Sequence, residues 1–176
     1  MILGFTRQLN RKPTYFPEKI LLGLRQQNLL DDYWYGWFTT DKTVSNKDYS
    51  FIVEFEKTII LKPKYHSFRE DKKDRWKAGM MIDFFINVRT KKMFRFCSVR
   101  PVVSTQKVEI FYKGLFVAVA IDKQLFYTNA DLKLGKGAAG MLELAQNDGF
   151  DNVQDFFAYF NEDFTGKIIH WTDLKY

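Results

Sequence analysis

Cysteine occurs once in 176 residues, at Cys97, so no internal disulfide can form and the chain reads as belonging to a reducing, cytoplasmic compartment. Histidine occurs twice, at His66 and His170. With one thiol and two distant imidazoles there is no metal-ligand spacing, and neither a metal nor another cofactor is expected. No window approaches the roughly 18 uninterrupted apolar residues of a membrane span, so no membrane partner is expected. The opening run Met1 to Arg7 is too short and lacks the basic leader of a signal peptide. Ile2 excludes N-myristoylation. There is no G-x-S-x-G elbow, no internal repeat, no low-complexity tract and no linker rich in Gly, Pro or Ser. The expectation is one domain over residues 1–176.

What is present is apolar and aromatic material, 46% and 18% of the chain. That is enough to offset the ordering entropy of one core, which excludes disorder. The net charge of +6 is modest, but its distribution is uneven. Between Lys62 and Arg100 stand 12 basic residues and four acids, whereas Ala138 to Asp163 holds six acids and no Lys or Arg. A chain so polarised can turn a basic face to an anionic partner, although solvated surface is the plainer explanation of any charge run.

Along the chain, Ile2 to Phe5 reads as a strand. Thr14 can cap a helix through Pro17 to about Leu22, with Gly23 as its stop. Residues 25–61 read as a helical insertion: Tyr33, Trp34, Tyr35, Trp37 and Phe38 make an aromatic cluster, and Phe51, Phe55, Ile59 and Leu61 line one helical face. After Pro63 the period becomes two. Ile82, Phe84, Ile86 and Val88 alternate with Met81, Asp83, Phe85 and Asn87 as a half-buried strand. Phe94 to Cys97, Lys107 to Phe111, Phe116 to Ile121 and Lys167 to Thr172 read as further strands, and Pro101 implies an edge or bulge. Asp131 to Gln146 reads as partly helical. Asp151 with Gln154 has capping-box spacing, and Val153, Phe156, Phe157 and Phe160 recur as one helical face. Strands and helices do not alternate regularly, so the expected fold is α+β, a mainly antiparallel β-barrel with flanking helices.

The segment Lys62-Pro63-Lys64-Tyr65-His66-Ser67-Phe68-Arg69-Glu70-Asp71, followed by Arg75-Trp76-Lys77-Ala78-Gly79, carries the most chemistry. In a strand Ser67 and Arg69 share one face, and Lys64, just past Pro63, can swing toward them. A guanidinium, an ammonium and a hydroxyl together can grip a phosphate or a carbonyl. The plainer reading is a surface ion-pair strip with Glu70 and Asp71. Strand alternation makes His66 a packed or rim residue. The glycines of Gly135-Lys136-Gly137-Ala138-Ala139-Gly140 match G-x-G-x-x-G but lack a βαβ unit, and a loop entering a helix explains them.

This segment resembles the signature of the ASCH superfamily, G-x-K-x-x-x-x-R followed by a glycine turn. Lys64 falls on its lysine, Arg69 on its arginine, Ser67 on its Ser/Thr position and Gly79 on its turn glycine. Asn10 to Ile20 is similar to the family's first helix, Asn147 to Phe157 to its late helical region, and Ile168 to Trp171 to its last strand. Lys62 stands in place of the motif glycine, and Met80 in place of a frequent acid. The resemblance implies a PUA-like barrel and, as partner, RNA or a nucleotide gripped by Lys64, His66, Ser67, Arg69, Arg75 and Lys77. One branch of the superfamily hydrolyses an acyl amide on a modified nucleoside, acetylated cytidine. Carried over, Ser67 would be its nucleophile, Lys64 its base and Asp148 its proton donor or positioning group. Binding without catalysis is the first expectation and this amidohydrolase the alternative.

Overall fold

The apolar positions of Met81 to Ile86 alternate between inside and outside, with Ile82, Phe84 and Ile86 fully buried. That strand organises the first of two compact units, Met1–Pro63 with Ile82–Arg100. The computed structural model describes residues 1–30, 61–130 and 137–176. These form an α+β fold of mostly antiparallel sheets with three helices.

In chain order the strands are β1 (Ile2–Phe5), β2 (Gln8–Leu9), β3 (Lys12–Pro13), β4 (His66–Arg69), β5 (Met81–Ile86), β6 (Phe94–Arg95) and β7 (Arg100–Pro101). They continue as β8 (Ser104–Lys113), β9 (Phe116–Ile121), β10 (Gln124–Thr128) and β11 (Phe164–His170). The helices are α1 (Phe16–Gln26), α2 (Gly137–Asn147) and α3 (Val153–Tyr159). None of the described helices is long and apolar enough to cross a membrane.

In the first unit β1 runs parallel to β5, Leu3 opposite Phe84, and β6 pairs antiparallel on the other side. Phe5 stacks on Phe84 with centroids 5.9 Å apart, and Phe96 meets Phe5 edge-on. Such aromatic pairs add to the burial of their own area. A side chain on Gly4 would meet Val88 at 2.8 Å, which explains glycine in that strand. Residues 10–13, which the resemblance assigned to the first helix, instead belong to a hairpin: Asn10 and Arg11 both have positive φ, the geometry of a two-residue turn. Thr14 Oγ1 accepts from Phe16 N at 3.4 Å, but Thr14 is not the cap: the N-cap is Tyr15, at φ 54° and without a side-chain cap bond, and the helix then passes through Gly23 to Gln26. Gly23 is buried inside α1 and is not its stop. Of the expected insertion 25–61, Arg25 and Gln26 complete α1. Residues 31–60, with the aromatic cluster and Phe51, Phe55 and Ile59 of the expected helical face, lie outside the described residues, and Leu61, the last member of that face, is in no helix.

The second unit, Lys64–Met81 with Pro101–Tyr176, is built on an antiparallel sheet in the order β10-β9-β8-β11-β4. The register aligns His66, His170 and Ser104 across β4, β11 and β8, and likewise Ser67, Ile169 and Thr105. One face therefore carries His66, Phe68, Gln106, Val108, Ile168 and His170, and the other Ser67, Arg69, Thr105, Lys107 and Lys167. On the first face Phe68 packs edge-on against Phe156 of α3 at 5.5 Å, with Phe160 beside it at 5.5 Å. The cap of α3 is Asn152, whose Oδ1 accepts from Asp155 N at 2.8 Å, one residue beyond the expected Asp151. Among the described residues this five-stranded sheet is an open path ending in β10 and β4, and no pairing joins those two ends.

Candidate functional site: a buried lysine at a helix end

Lys64 follows Pro63, which keeps the chain extended as it leaves the loop, and its side chain turns inward. Only 1% of Lys64 is exposed and 4% of Asp148. Asp148 sits just past the last turn of α2, where its N–H donates to Leu144 O at 3.1 Å. Gly149, at φ 93°, donates to Gln146 O, and Phe150 N donates to Ala145 O at 2.9 Å. A glycine that can take positive φ reverses the chain there and leaves helix-end carbonyls without intrahelical partners. Lys64 supplies one partner, donating from Nζ to the Asp148 carbonyl and, at 2.6 Å, to its Oδ1. A cation at the negative end of a helix is favourable in sign as well as in geometry.

The same end of α2 covers the edge of the sheet. Tyr65 N donates to Asn147 O at 2.9 Å, and Phe68 N to Asp148 Oδ1 at 3.3 Å. An uncovered edge strand would leave such N–H groups open to another chain. His66 Nδ1 stands 3.7 Å from Asp148 Oδ1, and its Nε2 is 2.8 Å from the Tyr176 hydroxyl. Asn147 Nδ2 donates to that hydroxyl at 2.9 Å. Gln106 holds the main chain of Tyr176 from both sides: Tyr176 N donates to Oε1 at 2.9 Å and Nε2 donates to Tyr176 O at 2.8 Å. His170 Nε2 lies 3.1 Å from the same Oε1.

Burial decides the protonation of this group. It raises the Asp148 carboxyl above the usual range, and Lys64, Arg69 and the Phe68 N–H offset that only in part. Burial, then His170 and Lys64, press His66 well below its ordinary value. Burial and Lys175 take His170 down to about 4 against the pull of Asp122. Both imidazoles are therefore neutral near neutral pH. Burial also lowers the half-buried Arg69, with Asp148 and Tyr159 opposing.

The residues expected to act together are thus divided. Lys64, His66 and Asp148 converge. Ser67 is buried on β4 with its side chain directed, by alternation, to the opposite face from His66. Arg75 and Lys77 lie on the loop after β4, exposed and ion-paired, Arg75 with Asp71 at 3.9 Å and Lys77 with Asp74 at 3.3 Å. Lys77 also lines a surface cavity of about 360 Å³ with Lys107, Lys167, Thr105, Trp76, Ala78, Asp74 and Asp122. Gln106, Lys107, Lys167 and Tyr176 carry no motif and Asn147 entered only within the resemblance's late helical region; sequence reasoning missed all of them as site residues. Register alone could have found Lys107 and Lys167, which stand opposite Arg69 across β11 and β8.

Among the described residues no group of three or more His, Cys, Asp and Glu side chains could hold a metal. Burial raises the Cys97 thiol to about 11, away from the thiolate form that a nucleophile needs. Comparison of the chain with protein families, with curated proteins and with solved structures returned no match.

Proposed function

We propose that the chain is an RNA- or nucleotide-binding domain of the ASCH type, its antiparallel sheet part of a PUA-like barrel, acting in the cytoplasm. The observation that carries the proposal is the 2.6 Å contact between Lys64 and Asp148, 84 residues apart, which the resemblance alone assigns to one site. Burying an ion pair costs more desolvation than its Coulomb energy commonly returns. Its retention beside two neutral histidines fits a site that must present fixed donors and acceptors to a polar, planar ligand. Phosphate has a separate place. The cavity lined by Lys77, Lys107 and Lys167 holds three ammonium groups against the carboxylates of Asp74 and Asp122. Lys107 is exposed there, and Arg75 is exposed on the adjoining loop.

The amidohydrolase alternative needs Ser67 beside Lys64. Strand alternation turns Ser67 to the face away from His66, the residue that shares Asp148 with Lys64. It also needs a lysine free to take a proton, whereas this one donates to a carboxylate and a carbonyl. Binding without catalysis is accordingly the reading argued here.

Fluorescence anisotropy with single-stranded RNA across a salt series tests it. Affinity should fall linearly with log salt. Lys77→Ala and Lys107→Ala should each make the slope shallower by about one unit, with equal weakening across sequences. No binding at low salt, or a slope indifferent to both lysines, would overturn the reading.

A further inference from the structure

The parallel strands β1 and β5 of the first unit end side by side, Phe5 opposite Ile86. The chain then leaves β1 for the β2–β3 hairpin and β5 for the loop over residues 87–93. Crevices form where chains part beyond the carboxyl ends of parallel strands. Here a cavity of about 460 Å³ opens, lined by residues 4–7 on one side and 87–89 on the other. Both rims are fixed. Thr6 Oγ1 donates to Gln8 O at 2.8 Å and Thr14 N to Arg7 O at 3.0 Å, which holds the turn carrying Arg7. Asn87 Nδ2 donates to Lys92 O at 3.2 Å and Thr90 Oγ1 to Asn87 O at 2.8 Å, which closes the loop carrying Arg89. Val88 fills the space that Gly4 leaves by having no side chain, and so ties that loop to β1.

The charges of this unit are unevenly matched. Its acids among the described residues are Glu18 and Asp83. Asp83 is taken by Arg95 at 2.6 Å, and Glu18 on α1 lies within electrostatic reach of Arg7. Arg89 is exposed and has no ion-pair partner among the described residues. Its backbone stands at φ 66°, a conformation that suits glycine and strains an arginine. An unpaired arginine held at a cavity rim in a glycine's conformation points to work for its side chain.

We infer that this cavity is an anion site of the first unit, built by Arg7 and Arg89, and that its ligand is a small molecule ending in a phosphate monoester. The inference goes beyond the RNA-binding reading and does not depend on it. Neither arginine lies in the segment from Lys62 to Gly79 or lines the lysine cavity of the second unit. Two guanidinium forks offer more N–H groups than a carboxylate can accept, and they fit the terminal oxygens of a phosphate. A monoester is close to a dianion, whereas the diester of a nucleic-acid backbone carries a single charge. The cavity has the size of a small-molecule pocket, larger than phosphate alone requires, and Phe5 and Val88 give the ligand's body an apolar wall.

Titration of the nitrogen-15-labelled native chain with inorganic phosphate, phenyl phosphate, dimethyl phosphate and acetate tests this, amide shifts reporting where each binds. Both inorganic and phenyl phosphate should give saturable shifts at Thr6, Arg7, Asn87 and Arg89, with phenyl phosphate the tighter. Dimethyl phosphate and acetate should bind at least about tenfold more weakly. Arg89→Gly should weaken phenyl phosphate at least about tenfold without lowering the melting temperature, because glycine is at ease at that backbone angle. Arg89→Lys, which keeps the charge and loses the fork, should fall between. Unchanged affinity in Arg89→Gly, or shifts confined to the cavity of Lys77 and Lys107, would overturn the site. Equal binding of dimethyl phosphate would overturn the monoester, and equal binding of acetate the phosphate. Inorganic phosphate bound as tightly as phenyl phosphate would overturn the organic body. Should Arg89→Gly melt lower or fail to fold, Arg89→Gln decides, and native affinity there overturns the site. RNA binding without a shift at Arg89 from either phosphate would overturn this inference alone, whereas these shifts without RNA binding would overturn the RNA reading alone.

Discussion

Two lysines of the second unit each join a carboxylate, and they do so under opposite electrostatic conditions. Lys64 meets Asp148 where both side chains are buried, and burial outweighs the partners, so the Asp148 carboxyl stands above its ordinary range. Lys167 reaches Asp74 at 2.5 Å, Trp76 O at 2.6 Å and Asp71 at 3.3 Å on the other sheet face. Burial pushes Asp71 up as well, yet the N–H groups of Trp76 and Arg75, together with Lys167, hold it below the usual carboxylate value. Lys167 itself is raised, because Asp74 and Asp71 outweigh its own desolvation. The difference lies in how many donors each carboxylate collects and how much water remains nearby. The lysine-lined side is a stabilising network, whereas the Lys64 side is a costly one, and a costly arrangement is where function is sought.

The sharpest way to break this comparison is to remove one partner of each pair. Lys64→Met leaves Asp148 buried and unpaired beside a helix C-terminus and should cost about 3–5 kcal/mol in denaturant unfolding. The double variant Lys64→Met with Asp148→Leu removes both charges and should recover most of that loss. A double variant as unstable as the single would show that the pair contributes net stability and that the cost argument is mistaken.

Acid should separate the two faces by window. His170 is depressed from 6.5 to about 4, and His66 is lowered too, so the native state binds fewer protons than the unfolded chain. Their contribution is complete above the unfolded value and is lost as pH falls from about 6.5 toward 4. For His170 this amounts to about 3 kcal/mol. Asp148, raised in the fold, acts with the opposite sign: its stabilising contribution belongs to low pH and fades as pH rises. Asp71 and Asp74 are depressed, so their contribution persists through the histidine window and is lost only below the ordinary carboxylate range. Unfolding midpoints measured from pH 7.5 downward should show an early loss that His170→Phe flattens. A loss confined below pH 4 would contradict the burial of neutral histidines.

Reading the sequence reached the regular parts of this arrangement and stopped where regularity stops. Ile2 to Phe5 and Met81 to Ile86 are legible because a strand's burial repeats every two residues, and α3 because Phe156 and Phe160 recur at helical spacing. β10 was not legible. A register shift between Leu125 and Tyr127 breaks its alternation, leaving Leu125 exposed and Phe126, Tyr127 and Thr128 buried in succession. The hairpin at Asn10 and Arg11 lacks the glycine that usually marks positive φ. No periodic pattern links Lys64 with Asp148 across 84 residues, and their pairing was suggested by a family resemblance, not by spacing. Tyr176 could not be singled out at all, since its partners His66, Gln106 and Asn147 come from three separate elements or their ends.

The smallest expected effect is on the lysine-lined face, and it tests whether that network is as resilient as its geometry implies. Lys167→Met removes a donor to Asp71, Asp74 and the Trp76 carbonyl. Asp71 keeps the N–H groups of Arg75 and Trp76, each at 2.8 Å, so its buried carboxylate is not stranded as Asp148 would be. Asp74 is mostly exposed and returns to water. The loss should therefore be about 1–2 kcal/mol, the scale of charged hydrogen bonds given up without a stranded charge, and well under that of Lys64→Met. Sign and pH add a second readout. Asp71 and Asp74 should rise toward their ordinary values in the variant, so the gap between native chain and variant should narrow as pH falls through the carboxylate range and those groups become neutral. Added salt should shrink the same gap, because Asp74 is open to solvent, but should leave the Lys64→Met deficit nearly unchanged. A Lys167→Met deficit equal to that of Lys64→Met and insensitive to salt would mean that the two pairs obey the same electrostatics, and the contrast between them would fall.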